Sequence, residues 1–368
     1  MPDSFASLFD RIVWDRSSSG ARVDVGEARA SAITANGGHG VQLTFETVFI
    51  ADGHPFDVIH PNGMLNVERR VHGDVEVLLV DDAEGRWVLV AMSTVHDGVF
   101  HLVSGLPATH SRSKKVERWV ARSRDLSRCY LNHDDFTAVG DRLSEWGDVE
   151  VVKVAARVAA DASSMNRGFP AVMGGLRPSH RQALTEIEDH GASVRTLRLH
   201  VEGVLDVHLR RVAGATLYSG QFSLFREQVL QRLENATAQR RALLTGRQRR
   251  TLTAAVRPLT VTLPHALMTS REATGTVLEE VRAMPNVSMA VFHRNPYLHF
   301  VVTDEIDGSN FDVMVTREDA IDVYPGYRAT PAALARITQQ LSERFGALDV
   351  GERPEQQKVV SLHDLVSG

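Results

Sequence analysis

Short segments of alternating polarity, each closed by turn residues, set the strongest limit on how this chain can fold. Val41–Ile50 alternates with period two, the spacing of a half-buried strand. Asp74–Val80, Arg86–Met92 and Val99–Val103 are short, β-branched and bounded by Gly, Asp or Pro, which reads as three more strands. Asp82-Ala-Glu-Gly85 supplies a hairpin loop between two of them. A second set of strands covers 287–294, 297–304, 311–315 and 320–324. The turn sequences Arg294-Asn-Pro-Tyr297 and Asp307-Gly-Ser-Asn310 join its members, which predicts an antiparallel meander.

Helical spacing separates the two sets. Val116, Trp119 and Val120 make Ser113–Leu126 an amphipathic helix. Phe136, Val139, Leu143 and Trp146 do the same for Asp134–Trp146, which Gly147 closes. Val149–Ala159 reads as a strand. Ser163–Gly175 reads as a loop and a domain boundary. Ser179 and Gln182 form a capping box for a helix running to His190. Strands near 193–201, 204–212 and 215–219 follow, then a long helix over 222–244. Further helices are expected over 270–284 and 331–345. The fold class is α+β, an N-terminal β-rich domain followed by antiparallel sheets covered by helices. The order helix, strands, helix occurs twice, which suggests tandem modules. The expected divisions are 1–107, 108–258 and 259–350, with 351–368 as a tail.

Charge is distributed unevenly across these divisions. The whole chain carries −5, but 1–107 sums to −8, 108–258 to +9 and 259–368 to −6. A net-positive segment between acidic ones points to a polyanionic partner, or to docking of the middle against its neighbours. Two basic runs stand out within it. Ser111–Arg128 contains Arg112, Lys114, Lys115, Arg118, Arg122, Arg124 and Arg128, and Arg240–Arg250 contains Arg247, Arg249 and Arg250. Such runs neutralise phosphates and release counterions without reading base sequence. The expected contacts to DNA or RNA are Arg112, Lys114, Lys115, Arg118, Arg122, Arg247, Arg249 and Arg250. The leading expectation is therefore a nucleic-acid-binding accessory protein. The alternatives are a metal-dependent hydrolase or nuclease, and a structural subunit that meets a protein partner or its own copies.

The hydrolase alternative rests on three groupings. Asp52, His54, Asp57 and His60 fall within nine residues, and imidazole with carboxylate suits zinc, iron or manganese. His96-Asp97 and His101 form a second grouping. Asp148, Glu150 and Lys153 share a strand, as a magnesium-dependent nuclease needs, but a spacing of three sends Glu150 and Lys153 to opposite faces unless a bulge intervenes. None matches an established metal pattern, so neither metal nor cofactor is expected. Cys129 is the only cysteine. It excludes an intramolecular disulfide and a multi-cysteine zinc site, and reads as a buried structural thiol. The first residues carry acids and no apolar run of secretory type. No stretch approaches the ~20 apolar residues of a membrane span, so the expected location is the cytoplasm.

Overall fold

The computed structural model describes residues 43–352 apart from 52, 60–65, 73–74, 83–84, 105–110, 159–163, 169–177, 213, 221, 250, 252–255, 264–270, 295–296 and 348. The protein is α+β, built on two antiparallel sheets. The first half supplies β1 (Leu43–Ile50), α1 (Pro55–Val58), β2 (Asn66–His72), β3 (Val75–Asp82), β4 (Gly85–Ser93) and β5 (Val99–Ser104). Then come α2 (Ser111–Arg122), β6 (Leu126–Arg128), α3 (His133–Leu143), β7 (Val149–Val158), β8 (Ser164–Gly168) and α4 (His180–Asp189). Strands β9 (Ala192–Val201), β10 (Leu205–Arg210) and β11 (Gly214–Gly220) lead into α5 (Phe222–Phe225). A π-helical turn, Arg226–Leu230, joins α5 to α6 (Gln231–Gly246).

These strands form one large sheet in the order β2-β3-β4-β5-β1-β11-β10-β9-β7-β8, with β6 also paired to β1. Strands on both sides of Pro107 therefore share one sheet. β1 is its hinge. Its N-terminal half pairs with β11, its C-terminal half pairs with β6, and β5 runs along its other side.

The small sheet is built from β12 (Leu259–Thr262), β13 (Val287–His293), β14 (Leu298–Asp304), β15 (Asn310–Arg317), β16 (Ala320–Pro325) and β17 (Asp349–Glu352). Its order is β13-β14-β15-β16-β12-β17. Helices α7 (Arg271–Arg282) and α8 (Pro331–Phe345) accompany it. The expected meander is present. Asp307 Oδ1 accepts the Ser309 N–H at 2.9 Å, and Gly308 takes a φ of 77°, which glycine adopts without steric cost.

One apolar core runs through both sheets. It joins Leu197, Leu199, Val207 and Leu209 of the large sheet to Phe136, Leu184 and Leu233 from three helices, and then to Phe300, Phe311, Val323, Ile337 and Leu341. Each such side chain contributes about 1.5–3 kcal/mol on burial. Polar ties span the same junction. Arg211 Nη2 donates to Ser342 Oγ at 2.7 Å, and Tyr130 Oη donates to the Val350 carbonyl at 3.2 Å. Arg336 pairs with Asp304 at 2.7 Å and also donates to the Ser123 carbonyl.

A second core lies on the opposite face of β1–β5, where Val48, Ile50, Leu89 and Leu102 meet Val116 and Val120 of α2. This corrects the expectation for β1. Alternation predicts one wet face, but every residue from Thr44 to Ile50 is buried, because α6 covers one face and α2 the other. Three other boundaries differ. The helix expected to reach Leu126 ends at Arg122, because Ser123 Oγ accepts the N–H groups of Asp125 and Leu126 and turns the chain into β6. The helix expected to reach Trp146 ends at Leu143, and Trp146 is exposed. Within the loop expected over 163–175, Ser164–Gly168 pairs with β7.

Candidate nucleic-acid interface

The geometry of α2 follows from its apolar residues. Val116 and Val120 are four apart and, with Ser113 and Arg112, face the second core. The opposite stripe, Lys114, Arg118 and Arg122, is therefore exposed. At 1.5 Å per residue these cations step about 6 Å along the helix. Arg124, just past the helix end, is exposed as well. None of these four has an ion-pair partner among the described residues. Arg118 Nε donates only to the Lys114 carbonyl, at 3.3 Å. The other two expected contacts on this helix differ. Arg112 is buried, Lys115 is half-buried, and both have partners of their own.

The second basic run lies inward. Arg240 pairs with Asp135 at 2.6 Å and lies over the Tyr130 ring. Arg241 donates to the carbonyls of Ile50 and Ala51 at 3.0 and 3.1 Å. It packs over Gly98, where a Cβ would collide with the guanidinium. Arg247 pairs with Glu352 at 2.6 Å. Arg249 is half-buried, its carbonyl accepting the Arg328 N–H at 3.2 Å. Arg250 lies outside the described residues.

Sequence reasoning passed over a third basic region, the face of the large sheet opposite α3, α4 and α6. One row crosses it in register: Lys153 on β7, Arg198 on β9, His208 on β10 and Thr216 on β11. Arg198 Nε and Nη2 both donate to Asp206, at 2.9 and 2.7 Å, and its guanidinium lies 4.3 Å over the Tyr218 ring. The His208 and Tyr218 rings are near-parallel with centroids 6.5 Å apart. Burial, and the cations Arg210, Arg198 and Lys153, push His208 down to about 4, against a weaker opposing pull from Asp206. Beside this row Arg210 and Arg128 flank the buried Glu46, each at 3.9 Å. Burial outweighs both cations and raises the Glu46 carboxyl above its ordinary value. Arg128 also reaches Glu117 of α2 at 3.7 Å, so a line of alternating charge joins the sheet face to the basic helix.

Four members of the hydrolase groupings, His54, Asp57, His96 and His101, make structural contacts. His54 Nδ1 accepts the Phe56 N–H and Asp57 accepts the His54 N–H, a capping box for α1. Asp57 pairs with Arg69 at 2.7 Å, and His54 lies 3.1 Å from Glu76. Asp52 and His60 lie outside the described residues. His96 bonds Asn235 at 2.7 Å. His101, fully buried, bridges Thr47 at 3.1 Å and Glu234 at 2.8 Å. A bulge between Val151 and Lys153 does put Glu150 and Lys153 on one face. Among the described residues, however, no group of three or more His, Cys, Asp and Glu side chains is placed to hold a metal ion. Cys129 is buried, and burial pushes its thiol up to about 12. A cleft between α3 and α6 encloses about 90 Å³, below the roughly 300–1,000 Å³ of small-molecule sites. No described helix is long and apolar enough to cross a membrane. No protein-family model matches the chain, and no curated protein is significantly similar to it.

Proposed function

We propose that this chain is a cytoplasmic nucleic-acid-binding accessory protein that contacts phosphates, not base edges, through α2. The observation that carries this reading is the stripe Lys114, Arg118 and Arg122, with Arg124, exposed and without carboxylate partners among the described residues. Exposed cations in series release counterions from a polyanion, and the affinity then falls with salt by about 0.9 logarithmic units per phosphate on a duplex. Four contacts predict a loss of about a hundredfold in affinity between 50 and 200 mM salt. Fluorescence anisotropy with labelled DNA and RNA oligonucleotides across that range tests the reading. Lys114→Ala/Arg118→Ala/Arg122→Ala should weaken binding and lower the salt slope by about three. Unchanged affinity in this variant overturns the assignment.

An assembly role has one observation in its favour. Strand β13 is an edge of the small sheet, and its Phe292 is exposed and stacked on His299. An edge strand is a template for pairing with a second copy.

A further inference from the structure

We infer that the outer face of the large sheet between β7 and β11 is a platform for single-stranded nucleic acid, on which the Arg198 guanidinium stacks a base and Lys153 meets a phosphate. The inference rests on the nucleic-acid reading and narrows its ligand from any polyanion to an unpaired strand.

Two irregularities in the sheet build the platform. Between β7 and β9 the register passes from Val151↔Leu199 to Lys153↔Arg198, so Val152 is the extra residue and Lys153 is delivered to the Arg198 side. Between β10 and β11 it passes from Asp206↔Ser219 to Val207↔Leu217, so Tyr218 is the extra residue. Tyr218 joins the same face, as its contacts with Arg198 and His208 require. Bulges re-aim side chains and are over-represented at sheet edges and next to active sites. Here both re-aimed side chains flank one row.

Arg198 is set up to stack. Asp206 holds the edge of its guanidinium with two bonds, and its Cζ lies over the Tyr218 ring at 4.3 Å from the centroid. A third of its side chain, 33%, remains exposed. A planar cation whose edge is fixed and whose side chain is partly exposed offers a flat surface on which an aromatic base can stack. Glu150 lies on the same face at the His200 end of the row, but cations predominate around His208. Lys153, Arg198 and Arg210 all act on His208, Asp206 is the one acid that offsets them there, and His208 Nε2 is buried without a hydrogen-bond partner.

The breadth of the face selects the single strand. Four adjacent strands at about 4.8 Å spacing span roughly 14 Å before side chains are added. The major groove, about 12 Å wide, admits a helix or a two-stranded ribbon. A duplex thus meets only the phosphate stripe of α2, whereas an unpaired strand splays its bases onto the sheet.

Anisotropy with a labelled single-stranded DNA 20-mer, the matching RNA and the DNA duplex tests this on the full chain. The single strands should bind more tightly than the duplex. Arg198→Lys, which keeps the charge and loses the plane, should weaken single-strand binding about tenfold and leave the duplex unchanged. Lys153→Ala, at an exposed position that folding does not need, should lower the single-strand salt slope by about 0.7. Equal binding of strand and duplex, with neither variant altering it, overturns the platform while the phosphate reading stands. Absence of binding to all three probes overturns both.

Discussion

α2 and the end of α6 are both arginine-rich in sequence, yet one points its cations outward and the other points them into the protein. In α2 the apolar pair Val116 and Val120 fixes the buried side, and Lys114, Arg118 and Arg122 fall opposite it. Around α6 the neighbouring elements offer acceptors: Asp135 to Arg240, the Ile50 and Ala51 carbonyls to Arg241, Glu352 to Arg247. A run of like charge therefore does not define a surface. What decides its fate is which acids and carbonyls the fold brings within reach, because an arginine that leaves water must recover its hydrogen bonds.

Cys129 gives the largest effect with which to test that contrast. It lies beneath α6, with its sulfur 3.9 Å from the Thr237 carbonyl. Raising a thiol from 9.0 to about 12 cuts its reactive thiolate about a thousandfold at neutral pH. Modification by a disulfide reagent in native buffer should be slower than in denaturant by at least that factor. Native labelling at the rate of an open thiol would mean that α6 is not held down. The next effect is thermodynamic. Arg240→Met removes the ion pair to Asp135 and leaves that carboxylate, which also accepts the Asn132 N–H, without its cation. Denaturant unfolding should show a loss of about 2–3 kcal/mol. A loss below about 0.5 kcal/mol, the range of ordinary surface substitutions, would place Arg240 with the exposed cations of α2.

Local signals carried much of the fold. Ser179 and Gln182 cap α4 as their spacing requires, and Pro331–Phe345 is helical over the expected span. The turn at Asp307–Asn310 needs no distant partner to be recognised. Other elements become strands only through remote neighbours. Leu259–Thr262 is four residues long and is held by β16 and β17. Leu126 left its helix because β1 offers an edge to β6. The union of 43–104 with 149–220 depends on the pairing of β1 with β11, which no local pattern encodes. The same division holds for the site. Lys114, Arg118 and Arg122 were legible because i, i+4 spacing is a property of the helix itself. Arg112 was not separable from them until the buried side of α2 was known. The Arg198 row was hidden for a different reason. Period-two counting assigns Glu150 and Lys153 to opposite faces, and the bulge at Val152 reverses that parity.

The smallest effect has the opposite sign to that of Arg240. Lys114, Arg118 and Arg122 are successive i, i+4 neighbours of like charge on an exposed stripe, and each such pair destabilises a helix by about 0.2–0.5 kcal/mol at low salt. Alanine is also the best helix former. Lys114→Ala/Arg118→Ala/Arg122→Ala should therefore be more stable than the natural chain by up to about 1 kcal/mol in low-salt denaturant unfolding, with the gain shrinking as salt screens the repulsion. Such a gain would fit the proposed phosphate contact, which needs the three cations in line whatever they cost the helix. A loss of stability in this variant would show that the stripe is held by internal contacts, as the cations of α6 are, and the distinction between the two helices would disappear.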